Sequence, residues 1–160
     1  MRSHRKRRPT RPLAKFIARF EGFRPYPYLD AVGVWTIGFG HTGPDVGPHS
    51  RLITRAEGLR ILARDMQGAA DAVNELVKVK LNRNEFGALV SFVFNCGAGA
   101  FEDSTLLREL NRGHREKVPQ QLMRWVNGGG QVLPGLVTRR RAEGRLFTAK
   151  VKTPGRKRTR

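Results

Sequence analysis

Pro25 and Pro27 constrain this chain more than any other local feature. Neither can sit inside a helix, because proline has no N–H and its ring strikes the preceding turn. Yet helix signals lie on both sides. Leu13, Phe16, Ile17 and Phe20 recur at helical spacing and predict a short amphipathic helix ending near Glu21–Gly22. After the prolines, "PYLDAVGVWTIGFG" alternates bulky and small residues around Gly33. That pattern predicts a β-hairpin or a small three-stranded ribbon, followed by a loop at "HTGPDVGPHS".

From Thr54 onward the pattern is helical. Thr54 with Glu57 and Asn82 with Glu85 each spell a capping box. The first opens an apolar stripe of Leu59, Leu62, Met66, Ala69, Val73 and Leu76. The second opens a helix whose apolar positions (Phe86, Leu89, Val90, Val93, Phe94) cover a wide face, which predicts the most buried helix. A third helix follows Ser104 with Leu106, Leu107 and Leu110. Pro119 either starts or bends the next one, around Leu122, Trp125 and Val126. "NGGGQVLPG" reads as a loop, and Pro134 suits the first turn of a last helix built on Leu136, Arg140, Glu143 and Phe147. The fold class is α+β: a small hairpin lobe beside a helical bundle. An isolated ribbon is marginal in water, so the lobe must pack on the bundle and leave a cleft.

At 160 residues and 39% hydrophobic content the chain suits one domain with a real core. The single cysteine, Cys96, excludes an internal disulfide and fits a reducing compartment. Of a formal charge of +18, most lies in two basic tails, residues 1–12 and 150–160, and the body between 13 and 149 carries about +6. Such tails attract polyanions. No apolar run is long enough to span a bilayer. "PLAKFIARFEGF" carries Lys15 and Arg19 and makes a poor signal-peptide core, so no export route of its own is expected.

Glu21 and Asp30 stand nine residues apart in this basic chain. Cleaving a glycosidic bond takes an acid that protonates the leaving oxygen and a carboxylate that handles water on the other face. Burial against rings such as the flanking Phe20 and Phe23 disfavours a charged carboxyl, which suits a proton donor. With a turn near Val32–Gly33, Asp30 is expected opposite Trp35 and diagonal to Thr36. The Thr36 hydroxyl then shares a water with the carboxylate, the equipment of an inverting hydrolase. Spacing alone equally allows an incidental Glu21 and an Asp30 that only makes a turn.

"FEGFRPYPYLDAVGVWTIGFGHTG" resembles the active-site signature of the phage-type lysozymes, muramidase endolysins with E–G, then Y–x–D, then G–x–x–T–I–G–x–G–H. The likeness continues through "NEFGALVSFVFNCGAGAFEDSTLLRELNRG" and "RWVNGGGQVLPGLVTRRRAEGRLF" and spans roughly residues 13 to 148. The resemblance implies a lysozyme-like fold. It also implies cleavage of the β-1,4 bond between N-acetylmuramic acid and N-acetylglucosamine in peptidoglycan, with no metal or cofactor. It makes Glu21 the general acid, Asp30 the second carboxylate and Thr36 its partner in placing water. Phe94 and Asn95 match the stretch lining the saccharide cleft, and Ser104 matches a position on the next helix facing it. Arg139, in "GLVTRRR", is placed to steady the acids, although the adjacent Arg140 and Arg141 leave the choice among the three open. His41 is expected to be structural, pairing with Asp65 to pin the hairpin lobe, which raises a histidine's pKa.

The tails and Pro119 depart from the family pattern. The expected partners are peptidoglycan and, through the tails, anionic envelope polymers, with no specific nucleic acid and no second subunit. Lacking an export signal, the protein is expected in the host cytoplasm until a membrane pore such as a holin releases it. Two rivals stand beside this reading. One is a lytic transglycosylase, in which a sugar hydroxyl replaces water and which has no use for Thr36. The other is a basic nucleic-acid-binding protein, for which the body shows no recognition motif.

Overall fold

The computed structural model describes residues 6–152. The basic residues Arg2, Arg5, Arg156, Lys157, Arg158 and Arg160 lie outside the described residues. Helix α1 (Arg11–Ala18) is capped by Thr10, whose side chain accepts from the Leu13 amide, and it has Pro12 in its first turn, where no N–H is needed. The ordered body therefore starts before residue 13. Upstream, the Arg7 amide donates to Asn74 Oδ1 at 3.0 Å, and Asn74 Nδ2 donates back to the Arg7 carbonyl at 2.8 Å.

Strands β1 (Arg24–Leu29), β2 (Trp35–Gly38) and β3 (His41–Thr42) form an antiparallel sheet in chain order. The register corrects the sequence expectation by one residue. Leu29 faces Trp35 and Tyr28 faces Thr36, so Asp30 stands against Val34 rather than Trp35. The cause is the turn. The Gly33 amide donates to the Asp30 carbonyl at 3.1 Å, with Gly33 at φ +81. That left-handed glycine adds a third loop residue where a two-residue turn would have placed Trp35 opposite Asp30.

Both capping boxes are formed, at α2 (Arg55–Asp65) and α4 (Arg83–Cys96). The single stripe read after Thr54 divides at Met66 into α2 and α3 (Gln67–Leu76), and Leu62, Met66, Ala69 and Val73 are buried along it. Helix α4 buries every residue from Glu85 to Val93 and forms the centre of the core. A short helix unread in the sequence, α5 (Ala98–Glu102), precedes α6 (Thr105–Asn111). Pro119 lies in the first turn of α7 (Val118–Leu122), so it starts that helix and does not bend it. The helix stops short of Trp125, whose ring meets Phe92 edge-on at 5.3 Å.

"NGGGQV" is not a plain loop. Asn127–Gly128 (β4) and Gln131–Val132 (β5) pair across Gly129 and Gly130, both at positive φ, as a two-residue hairpin requires. Helix α8 (Pro134–Thr148) then returns along α4. The hairpin lobe joins the bundle through Phe23 and Phe39, whose rings lie 5.0 Å apart. A Cβ on Gly58 of α2 would come within 2.8 Å of the Phe23 ring, so this contact depends on a bare backbone. Among the described residues no helix is long and apolar enough to cross a membrane.

Candidate active site

Asp30 closes the β1–β2 turn. Its Oδ1 accepts the amides of Val32 at 2.9 Å and Val34 at 2.8 Å, stabilising the loop as Asx residues do. Among the described residues no hydrogen bond reaches its Oδ2. Asp30 is thus a turn residue through one oxygen and open for chemistry through the other. Thr36, buried on β2, donates its hydroxyl proton to the Val34 carbonyl at 3.0 Å. Both side chains hold the backbone of Val34. With its proton engaged, the Thr36 oxygen is left to accept.

Glu21 lies just past α1, half-buried. Arg139 Nη1 donates to Glu21 Oε1 at 2.7 Å. The sequence suggested aromatic walls around this acid, but the Phe20 ring lies against the guanidinium, 5.3 Å from its carbon, and Phe23 turns toward Phe39. Arg139 is itself locked. Nη2 donates to the Ser91 carbonyl at 3.1 Å and Nε to Glu143 Oε1 at 3.3 Å. Glu143 has no solvent exposure; it also takes the Ser91 hydroxyl at 2.7 Å and Arg140 Nη1 at 2.5 Å. Burial pushes the Glu143 carboxyl above its ordinary value, and the Arg140 charge, the Ser91 hydroxyl and the Arg139 charge pull it back.

Three adjacent arginines left the sequence reading open, and helix geometry separates them. Each step turns about 100°. Arg139 points to Glu21, Arg140 donates to the Trp125 carbonyl and to Asn95 Oδ1, and Arg141 faces solvent. One network therefore runs from Glu21 through Arg139, Glu143 and Arg140 to Asn95 at the exposed end of α4. Ser91, Arg140 and Glu143 were not read as parts of a site. Their signal was charge at core-facing positions of α8, with a serine in the most apolar helix.

Phe94 is half-buried against the core and Asn95 is exposed. Ser104 stands apart from this network. Its hydroxyl donates to the Phe101 carbonyl at 2.6 Å and accepts the Leu107 amide at 3.0 Å, so it caps α6.

His41 Nδ1 meets Asp65 Oδ2 at 2.8 Å, joining β3 to α2. A second acid, unread in the sequence, takes the other nitrogen: Nε2 lies 3.0 Å from Asp45 Oδ2. Burial pulls the imidazole pKa down, but the two carboxylates outweigh it and hold the value above the usual 6.5. A histidine with a raised folded pKa stabilises the protein fully below its unfolded value, and that contribution disappears as pH climbs through the folded value. The thermal midpoint is therefore expected to fall from neutral to mildly alkaline pH, and to fall less in Asp65→Asn. Proton NMR of the His41 ring checks the cause; an unchanged titration in the variant would remove it.

The family description for phage lysozyme matches residues 18–143 of this chain. A SAR-endolysin of Bacteriophage PS119 is 45% identical over 123 residues, covering 77% of this chain and 73% of that protein. An endolysin of Bacillus phage B103 is 41% identical over 133 residues, covering 82% of this chain and 50% of that one. Among solved structures, the muramidase domain of SpmX from Asticaccaulis excentricus superposes with a TM-score of 0.81 at 35% identity, covering 90% of this chain and 100% of that chain. The α+β architecture read from the sequence is that of these lysozymes. The chain belongs to the phage lysozyme family, and is a glycoside hydrolase acting on peptidoglycan in phage-driven host lysis.

Proposed function

We propose that Glu21 protonates the bridging oxygen of the β-1,4 bond between N-acetylmuramic acid and N-acetylglucosamine. Asp30 and Thr36 hold the water that attacks the anomeric carbon from the opposite face, giving inversion. The observation that carries this reading is how the two acids are held. Each is anchored through one oxygen, Glu21 by Arg139 and Asp30 by its own turn, with no hydrogen bond among the described residues to the other oxygen. The chemistry follows from polarity. Thr36 donates to Val34 and can only accept from a water, and an ionised Asp30 Oδ2 also only accepts. A water that donates to both turns its lone pair outward, toward the sugar. Asn95 suits saccharide binding, because Arg140 takes its carbonyl oxygen and leaves its amide to donate. Phe94 precedes it on α4, half-buried against the core, whereas the capping bonds of Ser104 argue against a substrate contact there.

In the cell, the protein would gather in the host cytoplasm until a holin-type lesion opens the way to the wall, acting as a monomer without a cofactor. Its basic tails would hold it to anionic envelope polymers. Mass spectrometry of the released muropeptides tests the chemistry. Products with ordinary reducing N-acetylmuramic acid ends are expected; anhydro ends would assign the chain to the lytic transglycosylases.

A further inference from the structure

Two helices run from one end of the molecule to the catalytic side. Helix α1 starts at Arg11 and leads to Glu21, and α4 starts at Arg83 and ends beside Asn95. At 1.5 Å per residue, α4 keeps its two ends roughly 20 Å apart. At the starting end lies an open groove whose rim carries Arg7, Arg8, Lys78, Lys80 and Arg83, all exposed. Arg83 Nη2 donates to the Lys152 carbonyl at 2.9 Å, which brings Lys152 to the same rim. The clasp between Arg7 and Asn74 fixes Arg7 there. Both ends of the described residues therefore lie at this one pole.

The rim charges are not neutralised. Among the described residues none of these six cations forms an ion pair. Those that bond do so to neutral carbonyls: Arg7 to Leu81, Lys78 to Glu75 and Arg83 to Lys152. Elsewhere among the described residues some cations are paired, as in Arg51 with Glu57 and Lys117 with Glu109, and others such as Arg60 and Arg141 are not; the rim differs in gathering six around one groove. Among the described residues Glu75 supplies the single carboxylate in the groove lining.

We propose that this pole docks on an anionic lipid surface and turns the catalytic cleft away from the bilayer, toward the wall. The orientation rests on the peptidoglycan-cleaving reading; the docking does not. Six broadly spaced cations around one groove suit the diffuse charge of a lipid leaflet. A single-stranded nucleic acid would want exposed rings for its bases, and the groove's Phe16 is already packed edge-on against Phe20 at 5.5 Å.

Co-sedimentation of the full chain with vesicles decides the matter. Binding is expected to vesicles of phosphatidylglycerol mixed with phosphatidylcholine, to weaken with salt, and to be absent from phosphatidylcholine alone. Each basic residue near an anionic leaflet contributes roughly fivefold. The triple variant Lys78→Gln, Lys80→Gln, Arg83→Gln should thus lose about a hundredfold in partitioning, and the Lys78→Gln, Lys80→Gln double about 25-fold. Removing the same charge from Arg60, Arg124 and Arg141, which lie off the groove, should cost about fivefold or less. Equal losses in the two triples would reduce the effect to net charge and overturn the proposal. So would absent vesicle binding, or retention of a duplex oligonucleotide in place of vesicles. Cleavage of solubilised glycan fragments should match wild type in both triples. If the wild-type chain binds these vesicles but cleaves no glycan, docking stands and the catalytic reading fails.

Discussion

Glu21→Gln is expected to lower kcat on peptidoglycan by about 10²- to 10⁴-fold, the usual contribution of a positioned general acid. The amide keeps the shape of the side chain and still offers an oxygen to Arg139 Nη1, so the buried network and the fold should be undisturbed. What it lacks is a proton to give the leaving oxygen. KM should therefore stay near wild type, because an interaction confined to the transition state has been removed. Initial rates of turbidity loss on purified sacculi, with thermal melting as a fold control, measure both quantities. Activity within about tenfold of wild type would take Glu21 out of the acid role.

The largest effect on stability is expected at Glu143, which touches no substrate in this scheme. Its carboxylate stands between two buried guanidiniums and has no exposure of its own. Removing one partner of a buried ion group leaves uncompensated charge, at a cost of about 3–5 kcal/mol. Glu143→Gln leaves Arg139 and Arg140 facing a neutral amide and should lower the thermal midpoint on the order of 10 °C for a chain of this size. The pair need not stabilise the fold on balance, because desolvation offsets much of the attraction. Its contribution is to hold Arg139 where it grips Glu21. The same variant should therefore lose activity even at temperatures where it remains folded. A melt unchanged from wild type would mean that the two arginines find other partners.

The parts of this protein legible in its sequence are those whose causes lie within a few residues. Prolines at 25 and 27 exclude helix, Thr54 and Asn82 find their glutamates three positions on, and the stripe around Phe86 marks the central helix. Asp30 and Thr36 lie in one short turn-rich segment, and both bond the backbone of Val34. Even there the register slipped by one, since a single left-handed glycine decides the length of the loop. The glycine-rich stretch after Asn127 likewise hid a hairpin whose strands are only two residues long.

The tertiary structure decided which distant side chains meet. Glu21 and Arg139 lie 118 positions apart, and adjacent arginines differ in role only because a helix turns between them. Asp45 joined His41 through the path of an irregular loop, which no periodic pattern encodes. Arg7 and Lys152, near the two ends of the described residues, reached one pole through contacts to Asn74 and Arg83. Hydrogen-bond preferences and hydrophobic spacing act over a turn or two of chain, so the sequence displays them directly. Which charged groups share a buried space follows from how the helices pack, and that exists only once the chain has closed on itself.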